Sequence, residues 1–324
     1  MPHFTKESTA EEVCEAFSSQ ISGRTFLITG TSTRGIGAKI ATSIAKQSPA
    51  QLILVSRNKA KVDPVIEEIK STNPHIDTRF VLCDLSDQAS VRRAAEDILN
   101  DSSIKKIDVV VNNAAMMAIL EYQVDSKGNE MQLSSNHIGH FLLTNLIMPK
   151  ILAAGPGARI VNHTSQGHRI SAFRFDDPAF SGGKAYDPWS GYGQSKTANI
   201  LFSVALARRL KDRHIQAYAV HPGSILTTSL ANHVDVWAQI PIIADVTARN
   251  NNGRKWWLDP FMKTDSQGSA SALVAALDPD MAESSGAYID DCVVGKPEAY
   301  AVDADNAEKL WAYSEGVVGQ KFDL

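Results

Sequence analysis

The stretch TFLITGTSTRGIG, residues 25–37, decides the fold of this chain. Its first five residues are apolar or β-branched and predict a buried strand, and apolar residues at helical spacing resume at Ile36. Between them lies a turn that carries Gly30, Gly35 and Gly37. Glycines between a strand and a helix let the backbone approach a pyrophosphate, whose charge the helix N-terminus stabilises. The stretch therefore predicts a dinucleotide-binding unit.

The rest of the chain alternates predicted strands with predicted helices. Further strands are expected at 51–55, 79–83, 107–111, 159–162, 216–220 and 288–289, and helices at 88–99, 131–152, 193–210 and near Leu310. Such repetition predicts an α/β protein of the Rossmann type, with a doubly wound parallel sheet.

The pattern predicts one large domain, residues 23–324, behind a short N-terminal helical extension, residues 1–22. The extension contains an amphipathic stretch, 8–20, in which Thr9 and Glu12 have the spacing of a capping box. We expect this helix to pack on the domain.

Five predicted strands are followed by glycine or polar residues. These are Gly30, Asp84, Asn113, Ser165 and Gly223. A doubly wound sheet binds ligands at the carboxyl ends of its strands, so we expect these residues to form one shared site.

The residues after the second predicted strand indicate which dinucleotide binds. An acidic residue here would hold the ribose 2′-hydroxyl of NAD, whereas an arginine suits the 2′-phosphate of NADP. The chain has Ser56, Arg57 and Asn58 here, and Arg34 in the glycine turn is a second cation. The pattern predicts NADP(H). If both arginines are only solvated surface residues, an NAD-dependent alcohol dehydrogenase is the alternative.

Tyr192 and Lys196 are four residues apart in a predicted helix and therefore lie on the same face. A lysine charge about 4 Å from a phenol, at an effective dielectric of roughly 20, favours the phenolate by about 4 kcal/mol before desolvation is subtracted. A free tyrosine has a pKa of about 10. We expect the lysine to lower the pKa of Tyr192 towards neutrality, which makes it a general acid or base.

The composition excludes several classes of protein. Of 324 residues, 44% are hydrophobic and 21% charged; 32 basic residues stand against 36 acidic ones, so no nucleic-acid surface is indicated. No apolar run predicts a signal peptide or a membrane span. The three cysteines, Cys14, Cys83 and Cys292, are widely spaced and predict neither disulfides nor a zinc site. We expect a cytoplasmic protein.

Histidines near the expected site do not indicate a metal. His137 and His140 are three apart, but no cysteine or carboxylate completes a ligand set, so no metal is expected. His163 either lines the substrate pocket or is a satisfied structural histidine. Ser165 has no GxSxG motif around it, which argues against a hydrolase.

An insertion at 224–262 carries several aromatic residues and follows directly on the expected cofactor site. These aromatics form either ordinary packing or the apolar wall of a substrate lid, and the lid is favoured because ligand pockets are mostly apolar. The aromatic residues are Trp237, Trp256, Trp257 and Phe261.

Eight motifs occur in a characteristic order over nearly the whole chain. They are TG…GIG (29–37), CDL (83–85), NNAA (112–115), NHIGHFLLTNLI (136–147), IVNHTS (160–165), YGQSKTAN (192–199), HPG (221–223) and LWAYSE (310–315). In these motifs the chain resembles the short-chain dehydrogenase/reductase family, and within it the group of retinol dehydrogenases and WW-domain oxidoreductases. Membrane-bound retinol dehydrogenases carry an N-terminal anchor, which we do not expect from this sequence, so retinoid activity is not inferred.

The resemblance implies a catalytic tetrad of Asn136, Ser165, Tyr192 and Lys196. Ser165 would hydrogen-bond the substrate carbonyl and Tyr192 would deliver its proton. Lys196 would bind the nicotinamide ribose and lower the tyrosine pKa, and Asn136 would hold a water in the proton relay. A homodimer or homotetramer through the Asn136 and Tyr192 helices is also implied.

The resemblance further implies the contacts with NADP(H). Asp84 and Leu85 would touch the adenine, 113–115 the ribose side, and 222–223 with Thr227 the nicotinamide. The whole set is Gly30, Ser32, Arg34, Gly35, Ile36, Gly37, Arg57, Asn58, Asp84, Leu85, Asn113, Ala114, Ala115, Tyr192, Lys196, Pro222, Gly223 and Thr227.

Two positions depart from the family pattern. Four residues separate Gly30 from Gly35 where three are usual, which leaves open which amides meet the phosphates. Ala115 replaces a usual glycine and narrows the space beside the cofactor.

These observations predict an NADP(H)-dependent oxidoreductase of the ketoreductase type. It would interconvert a ketone or aldehyde and an alcohol on a medium-sized apolar substrate. A protein of another class, a dinucleotide sensor without turnover, is the further alternative, but it would have no use for the Tyr192–Lys196 pair.

Overall fold

The computed structural model describes residues 3–255, 259 and 261–324 of the protein, and one sheet of eight strands lies at its centre. In chain order the strands, β1 to β8, are Thr25–Thr29, Gln51–Ser56, Asp77–Leu82, Val109–Asn112, Arg159–His163, Gln216–Val220, Tyr288–Asp290 and Val293–Val294. Their spatial order is β3-β2-β1-β4-β5-β6-β7-β8. All pairings are parallel except that of β7 with β8. The predicted α/β Rossmann-type sheet is confirmed.

Twelve α-helices occur in the described part of the chain. In order, α1 to α12 are Ala10–Ala16, Ile36–Ala45, Asp63–Thr72, Gln88–Asn100, Met131–Leu133, Gly139–Leu146, Met148–Leu152, Pro188–Arg209, Val236–Asn250, Asp265–Leu277, Ala299–Val302 and Ala304–Val318. None of these described helices is both long enough and apolar enough to cross a membrane.

The residues of β1 alternate between two apolar layers. Leu27 packs in one layer with Val110, whereas Phe26 and Ile28 pack in the other. Because both faces of the sheet are covered, all five residues of β1 are buried, and its centre is a run of apolar residues instead of an alternation with polar ones. Its neighbours are β2 on one side and β4 on the other. This reversal of strand order opens a crevice at the carboxyl ends of the strands.

The N-terminal extension is anchored through α1. The predicted capping box is present, since Thr9 and Glu12 each bond the other's backbone N–H. The helix is shorter than the predicted stretch 8–20, and a 3₁₀ turn follows it. Glu11 of α1 pairs with Lys39 of α2 at 2.6 Å.

The predicted helix 131–152 is wrong as one continuous helix. A π-turn, Ser134–Ile138, separates α5 from α6, and Asn136 lies inside it. A second break precedes α7, where Pro149 has no N–H to continue the helical ladder. π-turns are frequent at functional sites, and this one carries a residue of the expected tetrad.

Two predicted strands differ from the observed ones by only one or two residues at each end. The strand expected at 79–83 is Asp77–Leu82, and that expected at 107–111 is Val109–Asn112. In the second case Ile107 donates its N–H to the carbonyl of Lys150, 2.9 Å away, instead of joining the sheet.

α12 covers the helices that carry the expected catalytic residues. Trp311 packs edge-to-face on Phe141 of α6, with ring centres 4.9 Å apart. The Oγ of Ser314 lies 2.8 Å from Nε2 of His137 in the π-turn. α12 of the same chain thus covers part of the helices through which a dimer was expected.

Gly139 sets the distance between α6 and the segment that follows β3. A Cβ at this position would lie 2.2 Å from the carbonyl oxygen of Leu85. Because that obstacle is backbone, we expect Gly139→Ala to lower the free energy of unfolding by about 3 kcal/mol in urea titrations. Gly316→Ala is the matched control. Gly316 lies in α12 with open space around it, so this change should be neutral or stabilising. Equal stability of the two variants would contradict the packing argument.

Candidate active site

A cleft of about 1320 Å³ lies at the carboxyl ends of the parallel strands. The five expected strand-end residues all line it, so the structure brings them into one site. Most other predicted residues line it as well. The predicted residues in the lining are Gly30, Ser32, Arg34, Gly35, Ile36, Arg57, Asn58, Asp84, Leu85, Asn113, Ala114, Ala115, Ser165, Tyr192, Lys196, Pro222 and Gly223.

Three predicted residues do not line the cleft. Gly37 lies behind the glycine turn, where a Cβ would be 2.6 Å from the Gly30 carbonyl oxygen. Asn136 is fully buried behind the cleft wall. Thr227 is exposed, and the buried residue next to it, Thr228, lines the cleft in its place.

The glycine turn accommodates its extra residue through a left-handed conformation. Arg34 has φ 62°, in the region that non-glycine residues seldom adopt. Gly30 has φ +72°, and a Cβ there would lie 2.7 Å from Cα of Ala114. α2 begins directly after the turn with Gly35 as its N-cap and no side chain bonding its first amides. An uncapped helix N-terminus beside a glycine cradle fits the pyrophosphate of a dinucleotide.

Three cations line one end of the cleft. They are Arg34, Arg57 and Lys61. None of the three forms an ion pair with a described carboxylate. Lys61 was missed by sequence reasoning, although the basic run 57–61 is a signal for it. Its carbonyl accepts the N–H of Thr33 at 2.9 Å, which brings Lys61 to the glycine turn.

The side chain of Asn136 is fully used by protein partners. Its Oδ1 accepts the N–H of Met116 at 2.7 Å, and its Nδ2 donates to the Met116 carbonyl and to Ser195 Oγ. The side chain therefore holds the π-turn against the loop after β4. Its backbone carbonyl lies 3.0 Å from Nδ1 of His140.

Ser165 and Tyr192 both lie close to Gly167. The Oγ of Ser165 accepts the N–H of Gly167 at 3.0 Å, so its own proton is free to be donated. A Cβ on Gly167 would lie 2.6 Å from Cε1 of Tyr192, which shows how closely the ring packs on this turn. The Ser165 hydroxyl lies near the phenol and opposes the rise of the pKa of Tyr192.

The expected lowering of the tyrosine pKa is wrong for this site. Burial raises the pKa of Tyr192 to about 12 and lowers the pKa of Lys196 to about 7. The ammonium lies 5.6 Å from the centre of the Tyr192 ring and donates to the carbonyl of His163 at 3.2 Å. Desolvation of two fully buried groups therefore exceeds their attraction.

His163 lines the cleft, and its Nε2 is buried with no hydrogen-bond partner among the described residues. This favours the interpretation in which His163 lines the substrate pocket. Burial lowers its pKa to about 3, so the ring is neutral.

The other part of the cleft is apolar, but its wall is mostly aliphatic. Of the four aromatics expected there, Trp237 is 56% exposed and Phe261 lies under Lys6. Trp256 and Trp257 lie outside the described residues. The apolar lining consists of Met116, Met117, Ile119, Leu120, Ile170, Trp189, Ile225, Leu226, Leu230, Val236 and Ile243.

Comparisons with known proteins agree with this geometry. A family model described as short chain dehydrogenase matches residues 24–237. Retinol dehydrogenase 12 of Mus musculus is 34% identical over 305 residues, covering 94% of this chain and 89% of that protein. Retinol dehydrogenase 11 of Homo sapiens is 33% identical, with coverage of 94% and 88%. A solved structure of an uncharacterized protein from Mycobacterium paratuberculosis has a TM-score of 0.69 at 28% identity, covering 94% of this chain and 96% of its own.

Proposed function

The chain belongs to the short-chain dehydrogenase family, in its retinol-dehydrogenase-like group, and we propose that it is an NADP(H)-dependent oxidoreductase of the ketoreductase type. It interconverts a ketone or aldehyde and an alcohol. One observation carries this proposal: the hydroxyls of Ser165 and Tyr192 meet beside Lys196 in a cleft with a dinucleotide cradle and an apolar wall.

Residues of this chain supply the acid chemistry of carbonyl reduction. The bound nicotinamide supplies the hydride. Ser165 donates its free proton in a hydrogen bond to the carbonyl oxygen. Tyr192 is a protonated phenol at neutral pH, because burial raises its pKa to about 12, and it donates that proton to the developing alkoxide.

Lys196 takes part in cofactor binding and in the return of the proton. Its ammonium binds the nicotinamide ribose and returns a proton to Tyr192. Burial lowers its pKa to about 7, so it exchanges protons readily near neutrality. A relay water on the backbone carbonyl of Asn136 connects this exchange with solvent.

The three unpaired cations support NADP(H) over NAD(H), since a 2′-phosphate offers them charge-assisted hydrogen bonds. We expect Arg34→Ala, Arg57→Ala and Lys61→Ala each to weaken NADPH binding about 10- to 100-fold and leave NADH binding nearly unchanged. Titrations that follow cofactor fluorescence measure both constants.

The control for this prediction is Lys59→Ala, because Lys59 lies in the same segment but pairs with Asp63. Preference of the wild-type protein for NADH would support NAD-dependent alcohol oxidation instead. Binding of neither cofactor would remove the proposed oxidoreductase function.

The apolar wall supports a medium-sized apolar substrate. All three cysteines are free and buried, which supports the cytoplasm as the proposed location. Because α12 covers part of the expected interface, any homodimer or homotetramer is proposed to form through another face.

A further inference from the structure

Lys263 lies at the end of the lid and outside the cleft lining. Its backbone N–H donates to the carbonyl of Ser224 at 2.8 Å, and Ser224 pairs with Met262 in a parallel β-bridge. The side chain is only 2% exposed. Lysine is rarely buried to this degree without a specific partner. The proposed reaction does not use this residue.

The stem of Lys263 lies directly beneath the turn 222–223. A Cβ on Gly223 would lie 2.5 Å from Cδ and 2.8 Å from Cε of the lysine, and Gly223 has φ +86°. The turn therefore rests on the lysine stem on one side and faces the cleft on the other. If the side chain of Lys263 changed its position, the turn 222–223 would therefore move as well.

Asp291 holds the ammonium of Lys263 from the tip of the β7–β8 hairpin. The ion pair measures 2.6 Å, and the Asp291 side chain is 36% exposed. Asp291 and Cys292 are both left-handed, with φ 51° and 68°. The N–H of Cys292 donates to Ser271 Oγ at 3.0 Å, which ties the strained tip to α10. The hairpin thus presents the Asp291 carboxylate to a buried cation, and the charge of Lys263 also acts on the neighbouring Asp290.

The lysine charge also acts on His221, the residue before the turn. Burial and then the charge of Lys263 hold the pKa of His221 well below its ordinary value. The neutral ring accepts the N–H of Gln166 at Nδ1, 3.3 Å away. Gln166 follows Ser165 directly. Lys263 therefore influences the two segments that border the reacting end of the cleft.

We propose that Lys263, held by Asp291, is a positioning residue that keeps the turn 222–223 in the shape that receives the nicotinamide half of the cofactor. This inference rests on the proposed dinucleotide site. The Lys263–Asp291 pair belongs to none of the eight sequence motifs and does not line the cleft.

The test compares two ligands that share only the adenosine end. NADPH contains the nicotinamide, whereas adenosine 2′,5′-bisphosphate ends before it. We expect Lys263→Met, which keeps the apolar stem but loses the charge, to weaken NADPH binding at least tenfold in calorimetric titrations. Binding of adenosine 2′,5′-bisphosphate should change less than twofold, because its site lies at the other end of the cleft.

Asp291→Asn should weaken NADPH binding more than Lys263→Met, because it leaves a buried ammonium unpaired. The double variant should return to the level of Lys263→Met, since no unpaired charge then remains. Lys255→Met, which removes an exposed lysine of the lid, is the matched control and should bind both ligands as the wild type does. If Lys263→Met fails to fold, Asp291→Asn alone carries the same comparison between the two ligands.

Unchanged NADPH binding in Lys263→Met and Asp291→Asn would overturn the inference, and so would equal weakening of both ligands. Failure of the proposed function has a different signature, because the wild-type protein would then bind neither ligand. If the wild type prefers NADH, then NADH replaces NADPH and AMP replaces adenosine 2′,5′-bisphosphate. The same differences in binding then support or overturn the inference.

Discussion

Tyr192→Phe should lower kcat by about 10³-fold, the loss expected when a general acid is removed. The substitution deletes only the hydroxyl. The ring keeps its packing on Gly167 and its edge-to-face contact with Trp189, where the ring centres lie 6.4 Å apart. We therefore expect the dissociation constant for NADPH to change less than about twofold. Steady-state kinetics with a carbonyl substrate and a separate cofactor titration measure the two quantities.

Tyr218→Phe is the control for this loss. Tyr218 is also a buried tyrosine, but its hydroxyl donates to the Met281 carbonyl at 2.6 Å, away from the cleft lining. Its removal should cost about 1 kcal/mol of stability and leave kcat nearly unchanged. If Tyr192→Phe retains a rate within tenfold of the wild type, the proton-transfer role of Tyr192 is wrong.

Acid should unfold the protein at an unusually high pH, near pH 5. Five histidines are buried as neutral rings. Burial lowers the pKa of each: to about 3 for His137 and His163, to about 4 for His140 and His168, and well below the ordinary value for His221.

In the unfolded chain these histidines titrate near the ordinary pKa of about 6.5. Between that value and the native pKa, the unfolded state binds more protons than the native state. The stabilisation is therefore complete above pH 6.5 and is lost as the pH falls. At pH 5 each histidine costs about 2 kcal/mol of stability relative to neutral pH.

Two buried acidic groups oppose this loss, and burial raises the pKa of one of them, Glu130, above its ordinary value. Burial raises the pKa of Asp290 to about 6, so it is protonated in the native state first and offsets about 1 kcal/mol at pH 5. The five histidines together cost about 10 kcal/mol at pH 5, and the raised carboxyl groups reduce this loss to no more than about 9 kcal/mol, against about 5–15 kcal/mol for the whole stability of a typical domain. The loss is large enough to unfold a protein of ordinary stability.

Circular dichroism against pH, with urea titrations at pH 7.5 and pH 5.5, measures this loss. His163→Phe should shift the midpoint to lower pH, because the buried Nε2 of His163 has no hydrogen-bond partner to lose among the described residues. His75→Asn, at an exposed position, should leave the curve unchanged. A protein that stays folded below pH 4 would contradict the argument.

Much of the fold could be predicted because its signals are local. The apolar run of β1 and the glycines after it are adjacent in the chain, and their pattern depends on backbone sterics and side-chain period alone. The position of Asp84, Asn113 and Ser165 in one site could also be predicted from the alternation of strands and helices. Parallel strands present their carboxyl ends at one edge of the sheet. α3 and α10 were not identified. α10 is buried along its whole length apart from its first residues, so it lacks the polar face that marks a surface helix.

The sequence by itself determined the Rossmann-type sheet, the family and the place of the site. Only the tertiary structure decided the π-turn at Asn136, the approach of Lys61 to the glycine turn, the covering of α8 by α12 and the pKa of Tyr192. Each of these depends on residues far apart in the chain. The lysine four residues from Tyr192 is visible in the sequence, but the desolvation that outweighs its charge is the sum over every neighbour that excludes water, and only the folded chain brings those neighbours together.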